Sequence, residues 1–218
     1  MNINESQQSI GKPDLSGKIF SKLHYLKIDI NSVFQSFFNN ITWKLKKVNF
    51  AGPAKFYGFA KLYRFPGSIV TVGEKCAFRS DKFSNLIGVN RSCIISTHSA
   101  NAIVKIGNSC GFSGVSIGCL NSITIGDNVL LGANVIITDF DWHNVHPQKR
   151  RNDSGGSKPV VIGDNVFIGV NSIIWKGVTI GKNSVIGANS LVTKDVPENT
   201  IYGGNPAKFI KELNPELL

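Results

Sequence analysis

The chain has 218 residues, 42% hydrophobic and 17% charged, which fits one folded unit and excludes a largely disordered chain. The formal charge is +10, with ten Lys/Arg against three acids in residues 1–64 and fourteen against eleven in residues 65–218. A membrane surface, an acidic glycan, a phosphate-bearing cofactor or nucleic acid would each suit that excess, so charge alone selects no partner.

The first stretch, MNINESQQSIGKPD, is polar and lacks the apolar core of a signal peptide. No run of 18 apolar residues follows it anywhere, so no spanning helix is expected and a cytoplasmic protein is the default. Residues 1–63 read as an N-terminal amphipathic helical segment. Ile19, Leu23, Leu26, Ile30, Val33, Phe37, Ile41 and Leu45 step by three or four, one helical stripe, with Ser21, Lys22, Lys27, Gln35, Lys44 and Lys46 off it. One long helix or two short ones would satisfy this spacing. Phe34, Phe37, Phe38 and Trp43 beside Lys44, Lys46 and Lys47 suit a membrane interface. Packing on the rest of the chain or on a second copy suits them as well.

Residues 64–120 look like degenerate six-residue repeats: "VTVGEKCAF", "NAIVKIGNSCGF" and "GVSIGCLNSITIGDN". Cys76, Cys93 and Cys110 are each 17 residues apart, near three repeats, which predicts that they stack along a core. With Cys119 they form no C-x-x-C pair and have no histidine at metal-ligand spacing, so buried thiols in a reducing compartment are expected.

From Ile125 the repeat is strict. Ile125, Leu131 and Ile137 are six apart, and so are Ile162, Ile168, Ile174, Ile180, Ile186 and Val192, with Gly126, Gly132, Gly163, Gly169, Gly181 and Gly187 following six of them. A 3.6-residue period cannot keep such a series on one face, and a lone strand would not need a turn every sixth residue. Short strand, turn, short strand, turn does fit: a parallel β-helix with one aliphatic side chain per repeat pointing inward. Gly163-Asp164-Asn165 and Gly181-Lys182-Asn183 supply the turn chemistry. The β-helix is placed at residues 64–211, with a loop at 139–160 thrown out of it and a tail at 212–218. Pro197 stops the repeats, and "GGNPAKFIKEL" reads as a turn and a short C-terminal helix or strand.

These residues resemble a family, the left-handed β-helix, hexapeptide-repeat acyltransferases, in the branch of galactoside, maltose and capsular-polysaccharide O-acetyltransferases. The stretches that carry the resemblance are "ITIGDNVLLGANVIITDFDWH", "VVIGDNVFIGVNSIIWKGVTIGKNSVIGANSLVTKDVPENTIYGGNPAKFI" and the loop between them, roughly residues 85–211. "CGFSGVSIG" (110–118) looks most like the polysaccharide branch. The resemblance implies a left-handed coil, against the usual right-handed crossover. It also implies a homotrimer with active sites between neighbouring subunits, acetyl-CoA along the prism as acyl donor, no metal and no nucleic-acid partner.

A smooth solenoid has no pocket, and the loop "DFDWHNVHPQKRRNDSGGSKP" gives it one. Imidazole suits removal of an acceptor proton near neutral pH. By the family's Asp-x-Asp-x-His form, the general base is His143. Asp141 or Asp139 either orients it or only starts the loop as an Asx turn. His146 is the alternative base, or lines the acceptor site together with Ser113, or faces solvent. Lys149, Arg150 and Arg151 are either a solvated face or phosphate contacts. By match to the family, Gly169 and Val170 line the pantetheine, Ala188, Thr193 and Lys194 approach the adenine end, and Lys208 and Lys211 take the basic tail positions. Some relatives carry Ser where Val170 stands, and many carry Trp in place of Phe167. Trp175 either walls the site or lies at the trimer contact.

The reaction expected is O-acetylation of a sugar or polysaccharide precursor, at the inner face of the membrane if the N-terminal segment lies there. N-acetylation of an amino sugar would use the same base. A zinc enzyme of this fold needs three histidines around the metal, and His24 and His98 lie outside the loop that holds His143 and His146. A non-catalytic solenoid would have no need of the histidine loop.

Overall fold

The computed structural model describes residues 14–214. A single helix, α1 (Leu15–Leu45), opens the chain. Asp14 caps it, its carboxylate accepting from the Gly17 N–H at 2.9 Å and the Ser16 hydroxyl at 2.7 Å. Lys47, with φ at 62°, turns the chain out of the helix.

Short strands then wind around a triangular prism with three parallel sheets as its faces. The first face holds Asn49–Phe50, Ile69–Val72, Ile103–Ile106, Ser122–Ile125, Val160–Ile162 and Thr179–Ile180. The second begins with Lys55–Tyr57, Ala77–Arg79 and Gly111–Ser113, and continues with Leu130–Leu131, Phe167–Ile168, Val185–Ile186 and Thr200–Gly203. Lys61–Tyr63, Ile94–Thr97, Ser116–Cys119, Ile136–Thr138, Ile173–Ile174 and Leu191–Val192 make the third. Each coil gives one strand to each face. The strand Lys208–Glu212 alone runs antiparallel, folding back on Thr200–Gly203 to close the far end. The first coil begins at Asn49, so the solenoid starts well inside the 1–63 segment read as helical.

The six-residue series becomes three inward columns. Val72, Ile106, Ile125, Ile162 and Ile180 are in register on the first face. On the third, Leu62, Ile95, Ile117, Ile137, Ile174 and Val192 are in register. The second-face column changes from aromatic to aliphatic. Phe56, Phe78 and Phe112 stack with centroids 5.0 and 4.7 Å apart, and Leu131, Ile168 and Ile186 follow. All are buried, and such aliphatic side chains contribute roughly 1.5–3 kcal/mol each when withdrawn from water.

The corners explain the Gly-x-Asn spacing. Asn128, Asn165, Asn183 and Asn199 all have φ near 60°, a conformation asparagine tolerates better than most residues. Parallel stacking places their amides over one another, bonded at 3.2, 2.9 and 2.8 Å. At the next corner a Cβ on Gly169 would lie 2.5 Å from the Ala188 nitrogen, so close approach of successive coils alone requires glycine there.

Two expectations need correction. Cys76 and Cys110 share a corner column, the Ala77 N–H bonding the Cys110 carbonyl, but Cys93 sits at a different corner. Residues 80–91 bulge out of the second coil, so the 17-residue spacing does not measure one turn of the solenoid. The second correction concerns α1. Its apolar stripe does not pack on the solenoid. Ser32, Asn39 and Trp43 are its buried residues, on the opposite side, while Ile30, Val33 and Phe37 are 61, 72 and 61% exposed.

What α1 does instead is cap the open end. Trp43 lies over the interior, 5.2 and 5.4 Å from the Phe56 and Phe78 rings. Next to it, helix side chains replace the missing neighbouring strand. Ser36 accepts from the Phe56 N–H, Gln35 from the Gly58 N–H and Asn39 from the Ala60 N–H. Asn40 both accepts from the Ala54 N–H and donates to its carbonyl. The edge of the first coil thereby satisfies backbone groups that would otherwise invite another strand.

Candidate active site

The histidine loop leaves the third face after Thr138 and rejoins the first at Val160. Its root is pinned at four places. The Lys158 N–H bonds the Asp139 carbonyl at 2.8 Å. The buried Asp139 carboxylate accepts from the Leu120 and Asn121 N–H groups, both at 2.7 Å, and from the Cys119 thiol. Asp141 forms an ion pair with Lys176, one coil further on, which also bonds the Gly156 carbonyl. Asn144 closes the loop through Asp153, backbone to backbone at 2.9 Å and side chain to side chain at 2.6 Å.

Trp142 is the fifth anchor. Its φ of 65° is unusual for an aromatic residue. The ring is held by a 3.0 Å bond from Nε1–H to the Thr138 hydroxyl and by contacts with Phe140 and His98. Gly118 makes room for it, since a Cβ there would lie 2.4 Å from the indole. His98 is half-buried, bonded to the Ser96 hydroxyl at 3.0 Å. Burial pushes its pKa below the ordinary imidazole value, and the nearby Asp139 carboxylate opposes that shift.

His143 follows Trp142 and is exposed. Its Nδ1 lies 3.1 Å from the Arg150 carbonyl oxygen. A carbonyl only accepts, so Nδ1 carries a proton, and in the neutral ring the lone pair is then on Nε2. That tautomer can take a proton from an acceptor group at Nε2. Neither acid orients the ring: Asp139 serves the preceding coil and Asp141 serves Lys176. His146 is exposed, and its backbone N–H bonds Asn144 at 2.8 Å. Ser113 is nearly buried on the second face, accepting from Asn85 of the 80–91 bulge at 3.1 Å.

The residues matched to the acyl donor fall into three places. Gly169, Val170 and Ala188 sit at the corner between second and third faces. Thr193 and Lys194 are exposed at the corner between third and first faces, the corner that carries the histidine loop, two coils beyond its root. Lys208 and Lys211 are exposed on the closing strand. Within one chain the third face therefore separates the Gly169–Val170 corner from His143. Phe167 is exposed on the second face beside Leu130 and Val185. Trp175 and Trp142 line a shallow third-face groove of about 460 Å³ with Ile94, Ile136 and Ile173. Lys176, Trp142, Gly118 and His98 escaped the sequence reading, because their partners lie one or more coils away. Among the described residues no three His, Cys, Asp or Glu side chains cluster as metal ligands.

Residues 103–139 and 159–194 match the family described as hexapeptide repeat of succinyl-transferase, the gap between them being the histidine loop. Galactoside O-acetyltransferase of Escherichia coli K12 is 50% identical over 93 residues, 43% of this chain and 45% of that protein. The chain belongs to the hexapeptide-repeat acyltransferase family. Protein CapG of Staphylococcus aureus is 45% identical over 114 residues, 50% of this chain and 66% of that protein. The chain thus spans less than two thirds of each of these relatives. A solved galactoside acetyltransferase in complex with coenzyme A superposes with a TM-score of 0.52 at 34% identity, covering 69% of this chain and 66% of that one. The fold is the left-handed parallel β-helix of this family.

Proposed function

We propose that this chain is an acetyl-CoA-dependent O-acetyltransferase that acetylates a hydroxyl of a sugar or polysaccharide precursor, with His143 as general base. The observation that carries the reading is the bond between His143 Nδ1 and the Arg150 carbonyl, which leaves Nε2 free on an exposed loop. The galactoside acetyltransferase solved with coenzyme A supports the donor, and the galactoside O-acetyltransferase relative supports a sugar hydroxyl. In this reaction Nε2 accepts the hydroxyl proton as the oxygen attacks the thioester carbonyl. The tetrahedral intermediate then collapses, the C–S bond breaks, and the imidazolium returns the proton to the coenzyme A thiolate. The thioester is already activated, so the chain need only position, deprotonate and reprotonate.

The same reading includes a homotrimer. Its support is the outer surface of the third face, where the outward row runs Lys61, Ile94, Ser116, Ile136, Ile173 and Leu191, four of the six aliphatic. The first face has Thr71, Lys105, Thr124, Val161 and Thr179 there. A neighbour on the third face would bring its histidine loop toward the Gly169–Val170 corner that one chain keeps apart. It also includes a cytoplasmic location at the inner face of the membrane, with peripheral contact through the N-terminal segment. The test is product analysis by mass spectrometry, with acetyl-CoA and panels of hydroxyl and amino sugars. Acetyl esters are expected, and exclusive amide products would overturn the O-transfer reading. Calorimetry with Lys194→Ala and Lys208→Ala is expected to show weaker acetyl-CoA binding that chelator does not alter. Unchanged affinity in both variants would contradict their assignment to the coenzyme phosphates.

A further inference from the structure

The apolar side of α1 has no partner in its own chain, and its direction is fixed by the residues on the other side. At 3.6 residues per turn, the exposed apolar side chains from Leu15 to Leu45 fall within an arc of roughly 140°, apart from Tyr25 on the opposite side. Ser32, Asn39 and Trp43, which face the solenoid, lie roughly 180° around the helix from the middle of that arc. Ser36, Asn39 and Asn40 bond the edge N–H and C=O groups of Lys55–Tyr57 and its flanks, and those groups point along the stacking direction, away from the second coil. The stripe therefore faces outward past the capped end of the prism. It is not part of the third-face strip that suits contact between copies.

Its width and its charges indicate the occupant. A seam between helices of two copies is two residues wide per heptad. This arc is wider and includes Phe20, Phe34 and Phe38 at its border, each exposed. Residues 15–47 hold six lysines, Lys18, Lys22, Lys27, Lys44, Lys46 and Lys47, and a single acid. That acid, Asp29, is paired with Lys55 at 3.2 Å. A cationic helix with a broad apolar face and too little hydropathy to cross a membrane lies in the plane of an interface.

We infer that α1 is an in-plane anchor for an anionic lipid bilayer, with Ile30, Val33 and Phe37 entering the headgroup–acyl boundary and Lys18, Lys22, Lys27 and Lys44 meeting lipid phosphates, while Lys46 is held by the Leu62 carbonyl. The coils then stand away from the membrane. The histidine loop leaves the fourth coil, so at about 4.8 Å per coil it lies roughly 15–20 Å above the first-coil edge. In a trimer with its axis along the prisms, three stripes would face one plane and bind with the avidity of three linked sites. The anchor deepens the peripheral contact proposed above and takes no part in acetyl transfer, so acetyl-CoA affinity measured on the same variants separates failure of one from failure of the other.

The test is co-sedimentation of the full chain with phosphatidylcholine vesicles, with and without phosphatidylglycerol. Partitioning onto phosphatidylglycerol vesicles is expected, at least about tenfold weaker on phosphatidylcholine alone or in high salt. The Val33→Glu/Phe37→Glu double variant should lose at least about tenfold in partitioning and keep its acetyl-CoA affinity. In a Phe37→Trp variant, lipids brominated on the acyl chains should quench the new indole, whereas Trp43, Trp142 and Trp175 of the parent stay unquenched. No binding to anionic vesicles overturns the inference, as does binding that the double variant leaves intact. A double variant that changes the mass of the assembly, in a chain that ignores vesicles, gives the stripe to a second copy and also overturns it.

Discussion

Asp139 and His98 show how much of the histidine loop is held by groups that take no part in chemistry. The Asp139 carboxylate satisfies two N–H groups of the preceding coil. Asp139→Ala should therefore destabilise the chain, by up to about 1–3 kcal/mol for each donor left without a partner, measured by urea unfolding. His98 gives a pH dependence. Its folded pKa lies below the ordinary 6.5, so the unfolded chain takes up the proton first as pH falls. Its contribution to stability is complete above the unfolded value and is lost as pH drops toward the folded value. Urea midpoints should fall between pH 7.5 and about 5.5, and His98→Gln should flatten that dependence. An identical slope in the variant would remove His98 from the account. At this scale the sequence was legible for inward aliphatics and for turn asparagines, because each obeys a local period. It was not legible for Asp139, Asp141 or Trp142. The contacts of these residues reach across coils to Leu120, Lys176 and His98, and the six-residue repeat is silent on which side chains face each other there.

At the scale of elements, α1 is the case where pattern and packing part company. The three-and-four spacing correctly gave a helix, yet the buried side is not the aliphatic stripe but the side of Ser32, Asn39 and Trp43. The reason is the surface it meets: an unpaired strand edge offers N–H and C=O groups, which amides and hydroxyls satisfy and leucines cannot. Asn39→Leu should thus cost stability even though it adds apolar surface. About 1–3 kcal/mol is expected from the unpaired Ala60 N–H and Gly58 carbonyl. A variant as stable as the parent would show that the edge is hydrated without cost. The histidine loop makes a parallel point. Gly118→Ala should displace Trp142, because the added methyl meets the indole. Since Trp142 precedes His143, kcat should fall while acetyl-CoA affinity, set at other corners, holds. An unchanged kcat would mean that the loop finds its working geometry without that anchor.

For the whole molecule, the solenoid follows from repetition. Stacked coils place like residues in columns, and Gly169 is required by its neighbour Ala188 whatever else lies there. The third face, with Ile136, Ile173 and Leu191 on its outside from the fourth coil on, should hold copies together. Ile136→Lys/Ile173→Lys is expected to shift the sedimentation coefficient to that of a monomer and to remove activity, because one chain keeps the Gly169–Val170 corner away from His143. An active monomer would refute a composite site. The most direct measurement on the central claim is steady-state kinetics of His143→Ala beside His146→Ala, with acetyl-CoA affinity measured by calorimetry on both. The account predicts that His143→Ala lowers kcat by about 10²–10⁴-fold with acetyl-CoA affinity retained, while His146→Ala changes mainly the acceptor KM. An active His143→Ala enzyme with an inactive His146→Ala enzyme would contradict it and move the base three residues along the loop.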